Sequence, residues 1–567
     1  MAKEINKNEI KIAYFSMEIA INNAIKSYAG GLGVLAGDTL KSAADLSTPM
    51  LGITLLSNQG YFKQEINKKG EQIEKADNYN YKKLKKMVAE TSIYIGKDKV
   101  KVIAWEYIIK GCSSYQIPVY FLDTDLKENK EEYRKLTGTL YGGDKKYRLR
   151  QEIILGRAGV KILPILGYKN IYKYHLNEGH AALAAVELFN QKKSKSFVLS
   201  SKNTEDIISD IKSKIVFTTH TPIKAGHDIF DLKLIKEDQK DFPFKLKGLI
   251  KRNKLNMSHL AIYFSSYVNG VAYSHQKIST KLFPGQDIAA ITNGVHSRTW
   301  TCDEFKKLYD KYIPNWRNCS LSLRNAFNIP PKEIWQAHQA AKKKLITYIE
   351  KKKKVKLQAN IFTIGFARRF TGYKRSTLLF HDMEELIKIH NEVGKMQIIY
   401  AGKAHPSDDN GKEMILEIHK LIEKYKNDIN IVFLDNYDMD IAKILIPGVD
   451  IWLNTPLPPN EASGTSGMKA AHNGVPHFST LDGWWLEGFI NRKTGWAIGE
   501  RRDTLEPKEL NKEDATDLYY RLKYRILPRY YNNPNRWRET MRHTIAINAS
   551  FFNSERMLQQ YAQDAYL

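Results

Sequence analysis

Short runs of consecutive apolar residues, rich in β-branched and aromatic side chains, recur along the chain. Between them lie longer stretches in which apolar residues return every three or four positions, the spacing of amphipathic helices. In the first half the runs are Ile10–Ser16, Met50–Leu56, Gln116–Leu122 and Lys214–Thr219; in the second they are Phe362–Ala367, Met396–Ala401, Ile429–Leu434, Asp450–Asn454 and Pro476–Ser479. Strands apolar on both faces that alternate with helices predict mostly parallel sheets covered by helices, an α/β class. Thr299–Lys356 carries tryptophan-bearing and lysine-rich helical segments but no strand run, which puts a domain boundary near residues 305–330. Beyond about Asp514 the pattern is helical through Leu567, with Tyr519, Tyr520, Leu522, Ile526 and Tyr530 at helical intervals. Two α/β domains leave a cleft, and ligands of such folds bind beyond the C-terminal ends of the strands.

Composition changes this picture little. The 567 residues allow two to four domains at roughly 100–200 residues each. Hydrophobic content of 43% with 26% charged residues excludes disordered and collagen-like chains. Charge is less ordinary: 88 Lys and Arg against 62 Asp and Glu leave +26, which by itself suggests a polyanion partner. The excess is spread out, apart from Lys342–Lys344 and Lys351–Lys354, and no zinc-finger spacing, RNP-type aromatic motif or basic zipper accompanies it. It reads as a solvated face, with no nucleic-acid partner expected. Cys112, Cys302 and Cys319 are odd in number and lack paired ligand spacing, so they read as free thiols of a reducing compartment. Charges interrupt the first ten residues, and no window reaches ~18 consecutive apolar residues. The expectation is a cytoplasmic protein without a membrane partner; a homo-oligomer is compatible with the sequence.

Five segments carry candidate chemistry. In Tyr28–Asp38, Gly31-x-Gly33-x-x-Ala36 leads into an apolar helix, Val34–Leu46. It does not directly follow a strand, so the dinucleotide reading is weak. An anion on the free N–H groups and close helix–sheet packing both remain open. His175-Leu-Asn-Glu-Gly-His180 lacks the i, i+4 histidine spacing of a zinc helix, and Phe217–Asp228 places His220 and His227 where a strand gives way to a loop. No metal is expected. Ile364–Arg375 runs off a strand into Arg368, Arg369, Lys374 and Arg375, four cations that call for an anion such as phosphate. Pro459–Asn473 combines small residues from Ala462 to Gly467, the hydroxyls of Ser463 and Thr465, and Lys469 at a helix start. A lysine among N–H groups and cations favours the neutral amine that a Schiff base requires.

Glu461–Asn473 resembles the cofactor segment of the α-glucan phosphorylases, the glycogen, starch and maltodextrin enzymes that carry pyridoxal phosphate: Glu-Ala-Ser-Gly-x-(Gly/Ser)-x-Met-Lys-x-x-(Leu/Met)-Asn. One position departs, His472, read as local repacking. Tyr14–Glu18, Tyr28–Asp38, Asn177–His180, Ile291–Gly294, Ala367–Arg375 and Phe551–Met557 resemble phosphorylase segments in the same order, and Thr219–Pro222 and Leu481–Trp485 resemble the family's short form. The resemblance implies a GT-B architecture of two Rossmann-like domains facing each other across a deep cleft. Residues 1–310, joined by C-terminal helices about 535–567, would form the first, and 311–534 the cofactor-binding second.

By matching positions, Lys469 would form the Schiff base, and Arg368, Gly464 and Thr465 would hold the cofactor's 5′-phosphate. Arg369 and Lys374, helped by the backbone at Gly31, would hold the substrate phosphate. Glu461, Ser463, Gly464, Asn293 and Tyr373 would contact the transferred glucose, and His180 matches a family active-site histidine. The implied reaction is attack of inorganic phosphate on a terminal α-1,4-linked glucose of glycogen, starch or maltodextrin, giving α-glucose 1-phosphate with retention. The cofactor's phosphate would assist proton transfer. Ser266 and Asp438 stand where long forms have a glucose-contacting histidine and an arginine near the cofactor phosphate. Two other readings stay open, a nucleotide-sugar glucosyltransferase of the same fold and a basic binding protein with vestigial catalytic residues. A lysine at position 469 argues against the first, which has no cofactor lysine, and intact Lys469, Arg369 and Lys374 argue against the second.

Overall fold

All nine predicted runs form strands in the computed structural model, which describes residues 5–194, 201–223, 226–499 and 507–567. The chain divides into two compact units. The first comprises residues 1–62, 76–292 and 557–567, and the second 63–75 and 293–556.

The sheet of the first unit runs Ala289–Ala290, Tyr267–Gly270, Ile215–Thr218, Lys173–Asn177, Ile12–Ser16, Met50–Leu55, Gln116–Asp123, Asp98–Lys110, Lys85–Ile95. The first seven are parallel, and the last two add antiparallel to the Gln116–Asp123 edge. Among the parallel strands chain order reverses between Ile12–Ser16 and Lys173–Asn177, so this is the unit's topological switch point. Ile12–Ser16 is buried along its length, as its unbroken apolar run predicts. Residues 557–567 complete the unit from within. The Tyr566 hydroxyl bonds His175 Nδ1 at 2.6 Å, and His175 Nε2 reaches Thr218 Oγ1 at 2.9 Å. Thr218 donates to Asn269 Oδ1 and Asn269 donates to the Tyr561 hydroxyl. Buried polar side chains on three adjacent strands are thereby satisfied.

In the second unit six parallel strands run Ile431–Leu434, Met396–Ala401, Phe362–Ala367, Ile451–Asn454, His477–Thr480, Gly495–Ile498. This is the 3-2-1-4-5-6 order of a doubly wound fold, with its switch point between Phe362–Ala367 and Ile451–Asn454. The hairpin Lys63–Ile66/Gln72–Lys75 belongs to this unit. Gln64 exchanges bonds with the Asn436 backbone and side chain and donates to the Gly402 carbonyl, while Gln72 brackets Ala404.

The division differs from the expected one. It falls after Thr292 and not at the expected position near residue 310, because Trp300, Phe305, Tyr309 and Trp316 are buried, the last three in the second unit's core. Residues 535–556 also stay in the second unit, where Trp537 stacks on Trp496 (5.6 Å) and Met541, Ile545 and Ala549 extend the same apolar stripe. Only residues after Arg556 return to the first.

Candidate active site

The predicted cation run leaves the C-terminal end of Phe362–Ala367, at the second unit's switch point. Arg368 donates to Asn454 Oδ1, which ends the neighbouring strand, and to Glu461 Oε2. Lys374 Nζ reaches the same Glu461 oxygen at 2.6 Å and lies 4.5 Å from the centre of the Tyr373 ring. Burial by itself would raise the Glu461 carboxyl, but Arg368 and Lys374 outweigh it and hold the group down to about 2. Arg369, next in the chain, is exposed. Arg375 is not part of this group: it is bound to the Thr455 and Pro456 carbonyls and pairs with Asp514 at 2.7 Å.

The segment after Glu461 approaches closely because it lacks bulk. Gly464 has φ +77, and a Cβ there would stand 3.2 Å from Glu461 Oε1. A Cβ on Gly467 would meet His477 and Trp484 at 2.7 Å. Ser463 is buried, and its Oγ has no hydrogen-bond partner among the described residues; the same holds for Arg368 Nε and Asn293 Oδ1. Thr465 precedes the short helix Ser466–Ala471, in which Lys469 is buried with its Nζ 3.8 Å from the centre of the Trp300 ring. His472 is fully buried. Its Nδ1 faces the Met468 carbonyl, which can only accept, so Nε2 is the nitrogen that accepts from Ser297 at 2.8 Å. Asp438 caps the helix Met439–Leu445 by accepting from the N–H groups of Asp440 and Ile441. Ser266 is exposed just before the start of Tyr267–Gly270, the end opposite to where parallel sheets bind ligands.

The first unit has its own polar group at its switch point. Ser16 leads to Glu18, whose Oε2 accepts the N–H groups of Ala29 (2.6 Å) and Gly30 (3.1 Å) and whose Oε1 accepts from the Tyr141 hydroxyl. Helix Gly31–Asp45 starts there without a side-chain cap. Gly31 is exposed, and a Cβ there would meet nothing within 4 Å, whereas a Cβ on Gly37 would stand 1.9 Å from the Ala20 carbonyl oxygen. The glycine segment thus gives the close packing that the sequence left open, and the helix it leads into starts without a cap. The adjacent strand delivers Glu178, at φ +74, and then His180. His180 Nε2 lies 3.4 Å from Asp228, which also binds Arg148 at 3.1 Å. Burial drives the His180 imidazole down to about 3, with Arg148 adding to the effect. Glu152, fully buried beside Asp228, is held far above the carboxylate range by burial first and by that neighbour second. Lys224 and Ala225 of the Phe217–Asp228 segment lie outside the described residues.

Sequence reasoning missed Asn454, Glu18, Asp228 and Trp300 as members of these groups. Asn454 and Glu18 were findable, because each stands at or just beyond the end of a predicted strand, and Asp228 closes the histidine-bearing segment Phe217–Asp228; Trp300 has no local signal. Among the described residues no helix is long and apolar enough to cross a membrane.

Residues 230–519 match the model of the carbohydrate phosphorylase family. The maltodextrin phosphorylase of Thermococcus litoralis is 37% identical over 99% of this chain and 71% of its own length. The glycogen phosphorylase of Aquifex aeolicus is 34% identical over 98% of this chain and 86% of its own. An uncharacterised protein of Methanocaldococcus jannaschii is 30% identical over 98% and 99%. With two α/β units, a glycine-lined lysine segment and sequence similarity running nearly end to end, the chain belongs to the carbohydrate phosphorylase family.

Proposed function

We propose that the protein is an α-1,4-glucan phosphorylase that releases α-glucose 1-phosphate from glycogen, starch or maltodextrin, with pyridoxal phosphate as cofactor. The observation that carries this reading is the charge count at the second unit's switch point. Arg368 and Lys374 share one buried carboxylate, Glu461, with exposed Arg369 beside them, an excess that phosphate would neutralise.

The residues fit the cofactor. Arg368 retains an unsatisfied buried Nε, Ser463 an unsatisfied Oγ, and Gly464 leaves room that any Cβ would take. Lys469 would be the attachment point, with Arg368, Gly464 and Thr465 on the 5′-phosphate. When bound, the group supplies a phosphate able to exchange a proton with the substrate phosphate. Arg369 and Lys374 would bind the attacking phosphate and Gly31 would offer its N–H. Glu461, already ionised, would accept from sugar hydroxyls together with Ser463, Gly464, Asn293 and Tyr373. His180, kept neutral by burial, would contact the sugar without adding charge. Cations fixed before reaction stabilise an oxocarbenium-like transition state by stabilising the phosphate that pairs with it.

The test is phosphorolysis of maltodextrin by purified protein, read as glucose 1-phosphate, alongside borohydride reduction and peptide mapping. Expected are phosphate-dependent release and a pyridoxyl adduct on Lys469; absence of both would overturn the proposal.

A further inference from the structure

Leu481–Trp485 has no part in the chemistry above, yet its aspartate is tied to the site's backbone. Asp482, 3% exposed, accepts the Glu461 N–H on Oδ2 at 2.7 Å and the Gly483 N–H on Oδ1 at 2.8 Å. Gly483 takes φ +54, and a Cβ there would lie 2.3 Å from the Ser463 carbonyl oxygen. The next residue, Trp484, donates its N–H to that carbonyl at 2.9 Å. The turn Asp482–Trp484 therefore grips Glu461–Ser463 at both ends, by the N–H of the first residue and the C=O of the last.

We propose that Asp482 is a positioning residue for phosphorolysis: its carboxylate anchors the backbone of Glu461, and through Gly483 and Trp484 that of Ser463, so that both side chains hold the place the sugar requires. The inference rests on the phosphorylase reading. An ionised carboxylate is the acceptor suited to two backbone N–H groups, and charge-assisted bonds of this kind are short and strong. The charged groups facing Asp482 are Glu461, of like sign, and Lys374 and Arg375, of opposite sign. Burial raises its carboxyl to about 7. The anchor is thus complete above neutral pH and weakens as pH falls through about 7.

The experiment compares cofactor-loaded wild type with Asp482→Asn, which keeps the size and loses the charge. Expected are a kcat lowered about tenfold at pH 8, the scale of one charge-assisted bond, and a maltodextrin KM changed less than threefold. The wild-type to variant rate ratio should rise with pH through about 7; taking the ratio removes the ionisation of phosphate common to both. A ratio within twofold at every pH overturns the proposal. If the variant fails to fold, wild-type protein carrying 15N-glutamate decides it: the Glu461 amide, assigned by its loss in Glu461→Gln, should titrate near pH 7, and a flat shift between pH 6 and 8 overturns the anchor. Wild type that releases no glucose 1-phosphate would sink the phosphorylase reading instead, leaving the amide titration to judge the anchor.

Discussion

Glu461→Gln keeps the shape of a side chain that bonds both Arg368 and Lys374 and deletes its charge. The folded protein holds this carboxyl at about 2 against an ordinary 4.5, because two cations more than offset the effect of burial. The difference of roughly 2.5 between the two values, at 1.36 kcal/mol for each factor of ten, is worth about 3 kcal/mol. Because the folded-state value is the depressed one, that stabilisation is present in full above about pH 4.5 and is lost as pH falls toward 2. For a unit of roughly 280 residues, an unfolding entropy near 0.6 kcal/mol/K turns 3 kcal/mol into about 5 °C of Tm. Differential scanning calorimetry at pH 7, in buffer free of phosphate and sulfate, should show the variant's second-unit transition lowered by that amount. Added inorganic phosphate should narrow the gap, since it brings counter-charge to the same cations. A gap under 1 °C without phosphate would refute the idea that Glu461 is the internal counter-ion of this cluster.

Two further outcomes concern the interiors. Lys342, fully buried against Asp450 and His338, should cost about 3–5 kcal/mol when changed to Met, because Asp450 keeps a buried charge. Urea unfolding checks this, and Lys342→Met combined with Asp450→Asn should recover part of the loss. In the first unit burial holds His175, His180 and His220 at about 3 and His275 at about 4. As pH falls below about 6.5 the unfolded chain takes up four protons that the folded unit refuses. Set against the one proton that Glu152 keeps in the folded unit, its stability should therefore drop by about 4 kcal/mol per pH unit near pH 5. Chemical denaturation at several pH values measures that slope, and a slope below about 1 kcal/mol per unit contradicts it.

Strands buried on both faces were legible. Phe362–Ala367 and Met396–Ala401 are buried from end to end, and apolar but for Thr363 and Gln397, because neither face meets water. Lys85–Ile95 and Asp98–Lys110 were not, because they form an antiparallel margin where exposed Lys99 sits beside buried Val100 and the apolar run is broken. Lys173–Asn177 was hidden by His175, a polar core residue whose partners lie far along the chain, Tyr566 being 391 residues away. The site divides in the same way. Cations after a strand and a glycine-rich turn before a lysine are local patterns, whereas the Arg368–Glu461 pairing spans 93 residues and the Asp482 anchor exists only in three dimensions. The boundary was misjudged because Trp300 and Phe305 follow the last strand of the first unit without a linker composition to mark the change.

The chain passes between its two units four times, after Phe62, Lys75, Thr292 and Arg556. During synthesis this inverts the usual order, in which an N-terminal domain folds before the next emerges. When Thr292 has left the ribosome the first unit still lacks the Tyr561 and Tyr566 hydroxyls, so His175 and Asn269 have no protein partner for the bonds those groups make. The second unit can finish earlier, since the hairpin it needs, Lys63–Lys75, is already waiting upstream. The half of the protein made first is thus the half completed last, and a gene cut at codon 292 would encode a sheet without its closing piece.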